Sequence, residues 1–324
     1  MKAILINSDK SLSYSDVADP VCKPGEVLIK VAYAALNRAD LMQRDGDYPP
    51  PPGAPEWMGL EVSGEIVGRG DGTKRFSVGD KVCALLGGGG YAEYVSVDER
   101  HCMPVPDNTS MAEAAAIPEA FATAYLNLFT EGKAKSGDTI LMNAGKSGLA
   151  SVVIPMAKAF GMRVITTVRG EDAVKSIAHL KADIVVDTLK THLTEVLNAE
   201  LAAGRGVDVA IDCLGGDVMG KCLHYLNHGA RWIVIAALAG KTTQIDLKNI
   251  YVRNVRIIGS TLRSRSQEKK AEILADLVQN VWPKVASGLV KPTIYKILPI
   301  RQAEEAQAIL QRGENVGKVV LKVE

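Results

Sequence analysis

Apolar residues alternate with polar ones through much of the first 110 positions. In Glu26–Ala35 (EVLIKVAYAA), Val27, Ile29, Val31 and Tyr33 fall on one face, the period of two that a half-buried strand requires. Segments 61–67, 80–86 and 91–97 read the same way, with glycine-bearing stretches at 68–72 and 87–90 between them. Prolines at 49–52 and at 55 lack a backbone donor and fix φ. That segment therefore predicts an exposed, ordered loop rather than a helix or a central strand.

From about residue 119 the rhythm changes. Short apolar runs centre on Leu141, Ile165, Val185, Val209, Val234 and Ile257, 20 to 25 residues apart. Segments with helical periodicity, such as 171–180 and 189–203, lie between them. Strand and helix alternating at this pitch predict βαβ crossovers and a doubly wound six-stranded parallel sheet. After Ile258 the pattern gives a long helix (267–287), a strand near Tyr295, a helix (301–312) and a last strand (318–323). This tail is too short for a third domain and is expected to complete the first. The predicted division is 1–118, 119–262 and 263–324, in an α/β chain with no internal repeat beyond the βαβ pitch.

Length and composition fit that division. A single core stops growing near roughly 250–300 residues, so 324 residues imply two domains. With 38 Lys+Arg against 37 Asp+Glu, the chain offers no net field to draw in nucleic acid or an anionic membrane. Its longest apolar stretch, 232–239, falls far short of the ~20 residues that span a bilayer. Residues 1–10 hold too short an apolar run for a signal peptide. The five cysteines (22, 83, 102, 213, 222) are odd in number and never spaced as CxxC, which fits reduced thiols and a cytoplasmic location.

Residues 141–150 (LMNAGKSGLA) follow a strand and open a helix, the context a dinucleotide-binding fingerprint needs. Gly145 would permit the tight turn, and Gly148 would let the backbone approach a pyrophosphate at the positive end of the helix. Ala150 fills the third small position. A P-loop is excluded, because Ile140 stands where its first glycine belongs. At the tip of the second strand, 165–170 (ITTVRG), no acid awaits a ribose 2′-hydroxyl, and Arg169 beside Thr167 is available to a 2′-phosphate. Glu171 and Asp172 read as first-turn residues of the next helix. NADP(H) is the expected cofactor.

Further stretches carry a resemblance. ALNRADLMQRDGDYPPPP (35–52), AAIPEAFATAY (115–125), GDKV (79–82), YAEYV (91–95) and GKVVL (317–321) resemble the medium-chain dehydrogenase/reductase superfamily. LNRADLMQR, PPPGA, AAAIPEA and LRSR (262–265) resemble, more narrowly, zeta-crystallin-like quinone oxidoreductases, the tumour-suppressor-inducible branch in particular. The likeness runs the length of the chain.

The resemblance implies a GroES-like β-rich domain, a Rossmann domain and an active site in the cleft between them, reducing quinones with NADPH and without metal. Zinc-dependent relatives carry Cys at the position of Asn37 and His at that of Leu60, leaving only Glu61, whereas a catalytic zinc needs three protein ligands. The cysteine-rich lobe expected after Leu86 in such relatives is also missing here. His224 and His228 could share a helix face, but His228 precedes Gly229 and reads as a helix-end residue. The resemblance implies that Asn37, Tyr48 and Thr123 border the nicotinamide and that Ser147, Gly148, Leu149 and Ala150 wrap the pyrophosphate. It places Ala236, Ala237, Leu238 and Leu262 along the cofactor cleft, with Asn315 and Lys318 near its nicotinamide end. Tyr48 and Asn37 are the candidate catalytic residues. The alternatives are a reductase of enone or enoyl double bonds, or a low-activity NADPH-binding protein of the crystallin or RNA-binding kind.

Three features depart from the family pattern. Arg169, Gly170 and Ala173 replace its 2′-phosphate set, Asn143 stands where histidine is common, and Pro155 predicts a kink or unwinding near Ser151. Relatives pair the edge strand at 253–259 across a two-fold axis, so a homodimer or a tetramer is expected.

Overall fold

The chain begins with a hairpin of its own, β1 (Lys2–Ile6) antiparallel to β2 (Leu12–Asp16). There follow β3 (Glu26–Ala35), α1 (Arg38–Asp45), β4 (Glu61–Arg69), β5 (Lys81–Leu85), β6 (Tyr94–Asp98), β7 (Cys102–Pro104), α2 (Met111–Ala115) and α3 (Pro118–Tyr125). The computed structural model describes residues 1–323. It divides them into two units, 1–122 with the C-terminal segment from 263 onward, and 123–262.

In β3 the period of two decides which side chains go inside. Val27, Ile29 and Val31 are buried, while Lys30 between them points to water. They join Ile4, Met58, Val62, Val82 and Tyr91 in one apolar core. The proline segment is irregular, as its missing donors require, and it packs on the glycine run that precedes β6. A Cβ on Gly87 would meet Pro51 at 3.2 Å, and one on Gly89 would meet Pro55 at 2.8 Å. Glycine is needed there for close approach of the two loops.

The second unit holds β8 (Thr139–Met142), α4 (Ala150–Ala159), β9 (Arg163–Val168), α5 (Glu171–Ser176), β10 (Ile184–Asp187), α6 (Leu193–Ala202), β11 (Val207–Asp212), α7 (Asp217–Cys222), β12 (Leu226–Val234), α8 (Leu247–Tyr251) and β13 (Arg256–Gly259). The six strands are parallel, in the order β10-β9-β8-β11-β12-β13. This is the doubly wound arrangement, with its switch point between β8 and β11. All four residues of β8 are buried, as befits a central strand covered on both faces.

The chain then returns to the first unit through α9 (Gln267–Asn280), α10 (Trp282–Ala286), β14 (Ile294–Pro299), α11 (Ala303–Arg312) and β15 (Lys318–Lys322). β15 pairs antiparallel with β3 and completes the sheet β14-β15-β3-β4-β5-β7, with β6 on β3. No helix among the described residues is long and apolar enough to cross a membrane.

Four readings of local structure are corrected. The helix expected over 267–287 breaks at Val281, because Pro283 can only open a new helix, in its first turn. α4 runs through Pro155 without interruption; Ser151 Oγ donates to Gly148 O at 2.8 Å and its N–H to Ser147 O at 3.0 Å. His228 lies in β12, not at a helix end, and shares no helix face with His224. They bond instead to Asn254 and Asn249 respectively. Finally, the left-handed residue of the fingerprint turn is Ala144 (φ 57°), not Gly145.

Candidate active site

In the first unit, β15 brings Lys318 beside Asn37, 281 positions earlier, and beside Glu61. Its Nζ donates to Asn37 Oδ1 at 2.7 Å and lies 2.7 Å from Glu61 Oε1. Asn37 Nδ2 donates to the same Glu61 oxygen at 3.0 Å, and the N–H of Glu119 donates to Glu61 Oε2 at 2.9 Å. Both oxygens of this wholly buried carboxyl group are thus hydrogen-bonded, as burial of a polar group requires. Asp40, at the third position of α1, accepts from the N–H groups of Asn37 (2.7 Å) and Gly59 (3.2 Å) and from the Tyr91 hydroxyl (2.9 Å). Burial raises Asp40 to about 6 despite those bonds.

Glu119 opens α3, where the helix dipole favours an anion by about 0.3–1 kcal/mol. Burial, reinforced by the neighbouring Glu61 charge, outweighs that and raises its carboxyl to about 7. The Glu119 oxygens enter no hydrogen bond or ion pair among the described residues.

Tyr48 is half-buried beside this cluster. The Arg263 guanidinium lies 4.5 Å from its ring centroid and donates to Tyr48 O (3.1 Å), Gln43 Oε1 (2.9 Å) and Gly87 O (3.0 Å). One planar group thus ties α1, the proline loop and the glycine run together. Its Nε is buried without a partner. Gln43 continues the brace to Glu56 O at 2.8 Å. Burial pushes the Tyr48 phenol above its ordinary value, with Arg263 pulling the other way.

In the second unit the fingerprint loop does what its sequence asks by a different distribution of parts. Gly145 is there for room: a Cβ would meet Thr166 Oγ1 at 2.7 Å and Ile177 Cδ1 at 3.0 Å. Its N–H donates to Thr167 O, and Ser147 Oγ accepts from Ala150 N at 3.1 Å. Gly148 and Leu149 lead into the first turn of α4, where backbone donors and the dipole suit a pyrophosphate.

Behind the loop, buried polar side chains cross the switch point. Thr167 Oγ1 donates to Asn143 Oδ1 (3.3 Å), Asn143 Nδ2 to Asp212 Oδ1 (3.2 Å), and Trp232 Nε1 to Asp212 Oδ2 (3.1 Å). A cavity of about 150 Å³, lined by Asn143, Thr167, Thr188, His192, Leu214 and Lys221, opens at these strand ends. Ligands of open α/β sheets bind in that position. The loop, the helix terminus and the cavity fit a dinucleotide.

Arg169 is exposed and enters no ion pair or hydrogen bond among the described residues. The turn that carries it is fixed by Asp187 Oδ1, which accepts from Gly170 N (2.7 Å) and Leu189 N (3.1 Å). The nearest acid in sequence, Glu171, is paired with Lys175 (2.9 Å) and Lys190 (3.0 Å).

The other anticipated residues lie as follows. Thr123 O accepts from Asn127 Nδ2 at 2.8 Å. Ala236, Ala237 and Leu238 follow β12, the last two exposed, and Leu262 is buried. Asn315 donates to Gly317 O at 2.7 Å and so shapes the turn before β15. The sequence reading overlooked Glu119, Asp40, Tyr91, Asp212 and the brace made by Arg263. For Glu119 a local signal existed, an acid isolated among alanines. Among the described residues, no group of three or more His, Cys, Asp or Glu side chains could hold a metal ion.

Comparison with known proteins bears on these features. Residues 23–107 match the alcohol dehydrogenase GroES-like domain, and 148–280 match the zinc-binding dehydrogenase family. The chain is 28% identical over 310 residues to a quinone oxidoreductase of Mus musculus, covering 95% of this chain and 92% of that one. It is 30% identical over 331 residues to a synaptic vesicle membrane protein VAT-1 homolog-like protein of Homo sapiens, covering 95% and 76%. Among solved structures, a mycobacterial protein complexed with NADPH is 25% identical with a TM-score of 0.85, over 99% of this chain and all of that one. An NAD-dependent alcohol dehydrogenase is 28% identical with a TM-score of 0.84, over the whole of both chains.

Proposed function

The chain belongs to the quinone oxidoreductase family of the medium-chain dehydrogenase/reductases, and from that premise we propose that it reduces quinones with NADPH and without a metal. The observation that carries this reading is the Lys318 ammonium held by Asn37 and Glu61. The chain's own cation neutralises the one carboxylate there, while Asn37 and the buried Leu60 offer neither thiolate nor imidazole. A site of this composition suits an acceptor that needs little polarisation. Quinones are such acceptors, because reduction creates an aromatic ring, and holding the partners together can lower the barrier by several kcal/mol.

The bound cofactor supplies a hydride. When it is bound, the backbone from Ser147 to Ala150 would hold the pyrophosphate, and Arg169 would meet the 2′-phosphate. Toward the acceptor, Arg263 braces Tyr48, whose hydroxyl would bond an acceptor oxygen. A second reading, reduction of activated C=C bonds, is supported by the half-buried carboxyl of Glu119, since an enolate also needs a proton.

Oxidation of NADPH with 1,2-naphthoquinone, 1,4-benzoquinone and trans-2-hexenal, measured side by side, tests the proposal. Turnover of the quinones, unchanged after EDTA treatment and with less than stoichiometric zinc, is the expected result. Turnover of the enal alone supports the second reading. Loss on chelation with recovery on adding zinc overturns the metal-free assignment.

A further inference from the structure

An acceptor gripped by the Tyr48 hydroxyl needs that hydroxyl in one place, and the chain around Tyr48 does little to hold it there by itself. We propose that Arg263 is the positioning residue of this site, fixing Tyr48 against the helix that carries Asn37 so that the phenol meets the acceptor. The inference rests on the reductase reading and names the residue on which its geometry depends.

The segment around Tyr48 supplies few bonds of its own. α1 ends at Gly46 (φ 90°), where Gly46 N and Asp47 N donate to Gln43 O (3.1 Å) and Met42 O (2.9 Å). The prolines at 49–52 have no N–H to give. Farther along, Gly89 N donates to Trp57 O (2.9 Å) and Trp57 Nε1 to Gly89 O (3.0 Å), which knits the end of the loop to the glycine run. Tyr48 lies between these anchors, and Arg263 is its one hydrogen-bond partner among the described residues. The guanidinium takes hold of it twice, at the carbonyl oxygen (3.1 Å) and over the ring (4.5 Å to the centroid).

The same group ties Tyr48 to the rest of the site. Nη2 donates to Gln43 Oε1 (2.9 Å) on α1 and to Gly87 O (3.0 Å). Gln43 is buried and carries the connection on to Glu56 O (2.8 Å). Asn37 is the N-cap of that helix, so a rigid element joins it to the brace. Lys270 Nζ, on α9, donates to Arg263 O (2.9 Å) and holds the backbone of the arginine itself. All of these residues belong to the first unit.

The contacts call for arginine. Oxygen acceptors on three segments and an aromatic face need a planar fork of donors, which a lysine ammonium lacks. Nε meanwhile stays buried without a partner. A buried, unbonded donor costs stability. The side chain is therefore held for its Nη contacts rather than for the best bonding of the whole group.

A double-mutant cycle tests this. Arg263→Ala should lower kcat/KM for 1,4-benzoquinone about a hundredfold, the cost of misplacing a binding group by about 1 Å. The dissociation constant for NADPH should stay nearly the same, since the fingerprint loop and Arg169 belong to the second unit. In a Tyr48→Phe background the same change should cost little more, because what Arg263 positions is already gone. Arg263→Lys, which keeps the charge but not the fork, should behave like Arg263→Ala. In cofactor-free protein labelled with 3-fluorotyrosine, the ¹⁹F resonance lost in Tyr48→Phe should move toward that of free tyrosine in Arg263→Ala. Thermal unfolding checks that each variant is folded, and Arg263→Lys carries the same cycle should Arg263→Ala not be. An equal cost in both backgrounds, full activity in Arg263→Lys, or an unmoved Tyr48 resonance overturns the inference while leaving the reductase reading intact. A wild type inactive with every acceptor overturns the reductase reading and this role with it.

Discussion

Lys318 Nζ sits 2.7 Å from Glu61 Oε1, with the two side chains 4% and 0% exposed. Taking both charges out of water is costly, and the pair persists because Asn37 and the Glu119 N–H complete the bonding of the carboxylate. Removing one partner leaves the other charged and buried. Lys318→Met should therefore lose about 3–5 kcal/mol in urea unfolding. Adding Glu61→Gln should recover most of that loss, because the stranded charge is then gone. Equal stability of the single and double variants would show that the ion pair is not what is being broken.

That same pair shows what a sequence conceals. The strand at Glu26–Ala35 was readable because its period of two is local, and the six strands of the second unit because βαβ crossovers impose a pitch. Asn37, Glu61 and Lys318 meet only after the chain has built an entire second unit and returned, so no spacing announces them. Ala144 carries the positive φ expected of a glycine because Gly145 is needed where side chains from β9 crowd the turn. His228 was misread for a similar reason. His-Gly resembles a helix end, but Gly229 (φ 75°) here lies inside β12.

The two raised carboxyls, Asp40 and Glu119, give stability a definite pH dependence. Burial raises Asp40 to about 6 and Glu119 to about 7, so the folded state holds these protons more tightly than the unfolded chain does. For a raised carboxyl the contribution is complete below its unfolded value and is lost as pH climbs through the folded one. Unfolding free energy should therefore decline between pH 5 and pH 8. Glu119→Gln should flatten the upper part of that decline by about 1–3 kcal/mol. A wild-type curve that rises steadily across this window would mean that these two groups are ionised from the start.

We further propose that the protein is a homodimer. β13 is the edge strand of the parallel sheet and has no neighbour beyond it among the described residues. Ile257 on it is partly exposed, and Leu247, Tyr251 and Val252 in and after α8 are largely exposed. An uncovered edge flanked by apolar side chains invites pairing, and a two-fold axis closes the contact. Light scattering at micromolar concentration should give twice the chain mass. Ile257→Lys should shift that toward the monomer. A stable wild-type monomer would refute the proposal.

We propose that the choice of cofactor turns on Arg169. NADPH differs from NADH by a 2′-phosphate carrying close to two negative charges. Arg169 stands at the tip of β9 on a turn fixed by Asp187, without a protein partner among the described residues. The neighbouring Glu171 is already neutralised by Lys175 and Lys190. A guanidinium so placed can make a charge-assisted, bidentate contact with phosphate. Such bonds contribute about 1.5–3 kcal/mol, roughly a tenfold to hundredfold preference. Arg169→Ala should raise the KM for NADPH by about that factor and leave the KM for NADH nearly unchanged. The kcat should move little, because the phosphate is remote from the hydride and its binding is mostly uniform. Added salt should weaken NADPH binding more than NADH binding in the wild type, and the difference should shrink in the variant. If the variant keeps its full preference, recognition belongs to another basic group, with Lys146, Lys175 and Lys190 the nearest in sequence or pairing. If the wild type prefers NADH outright, the strand tip does not read the phosphate at all.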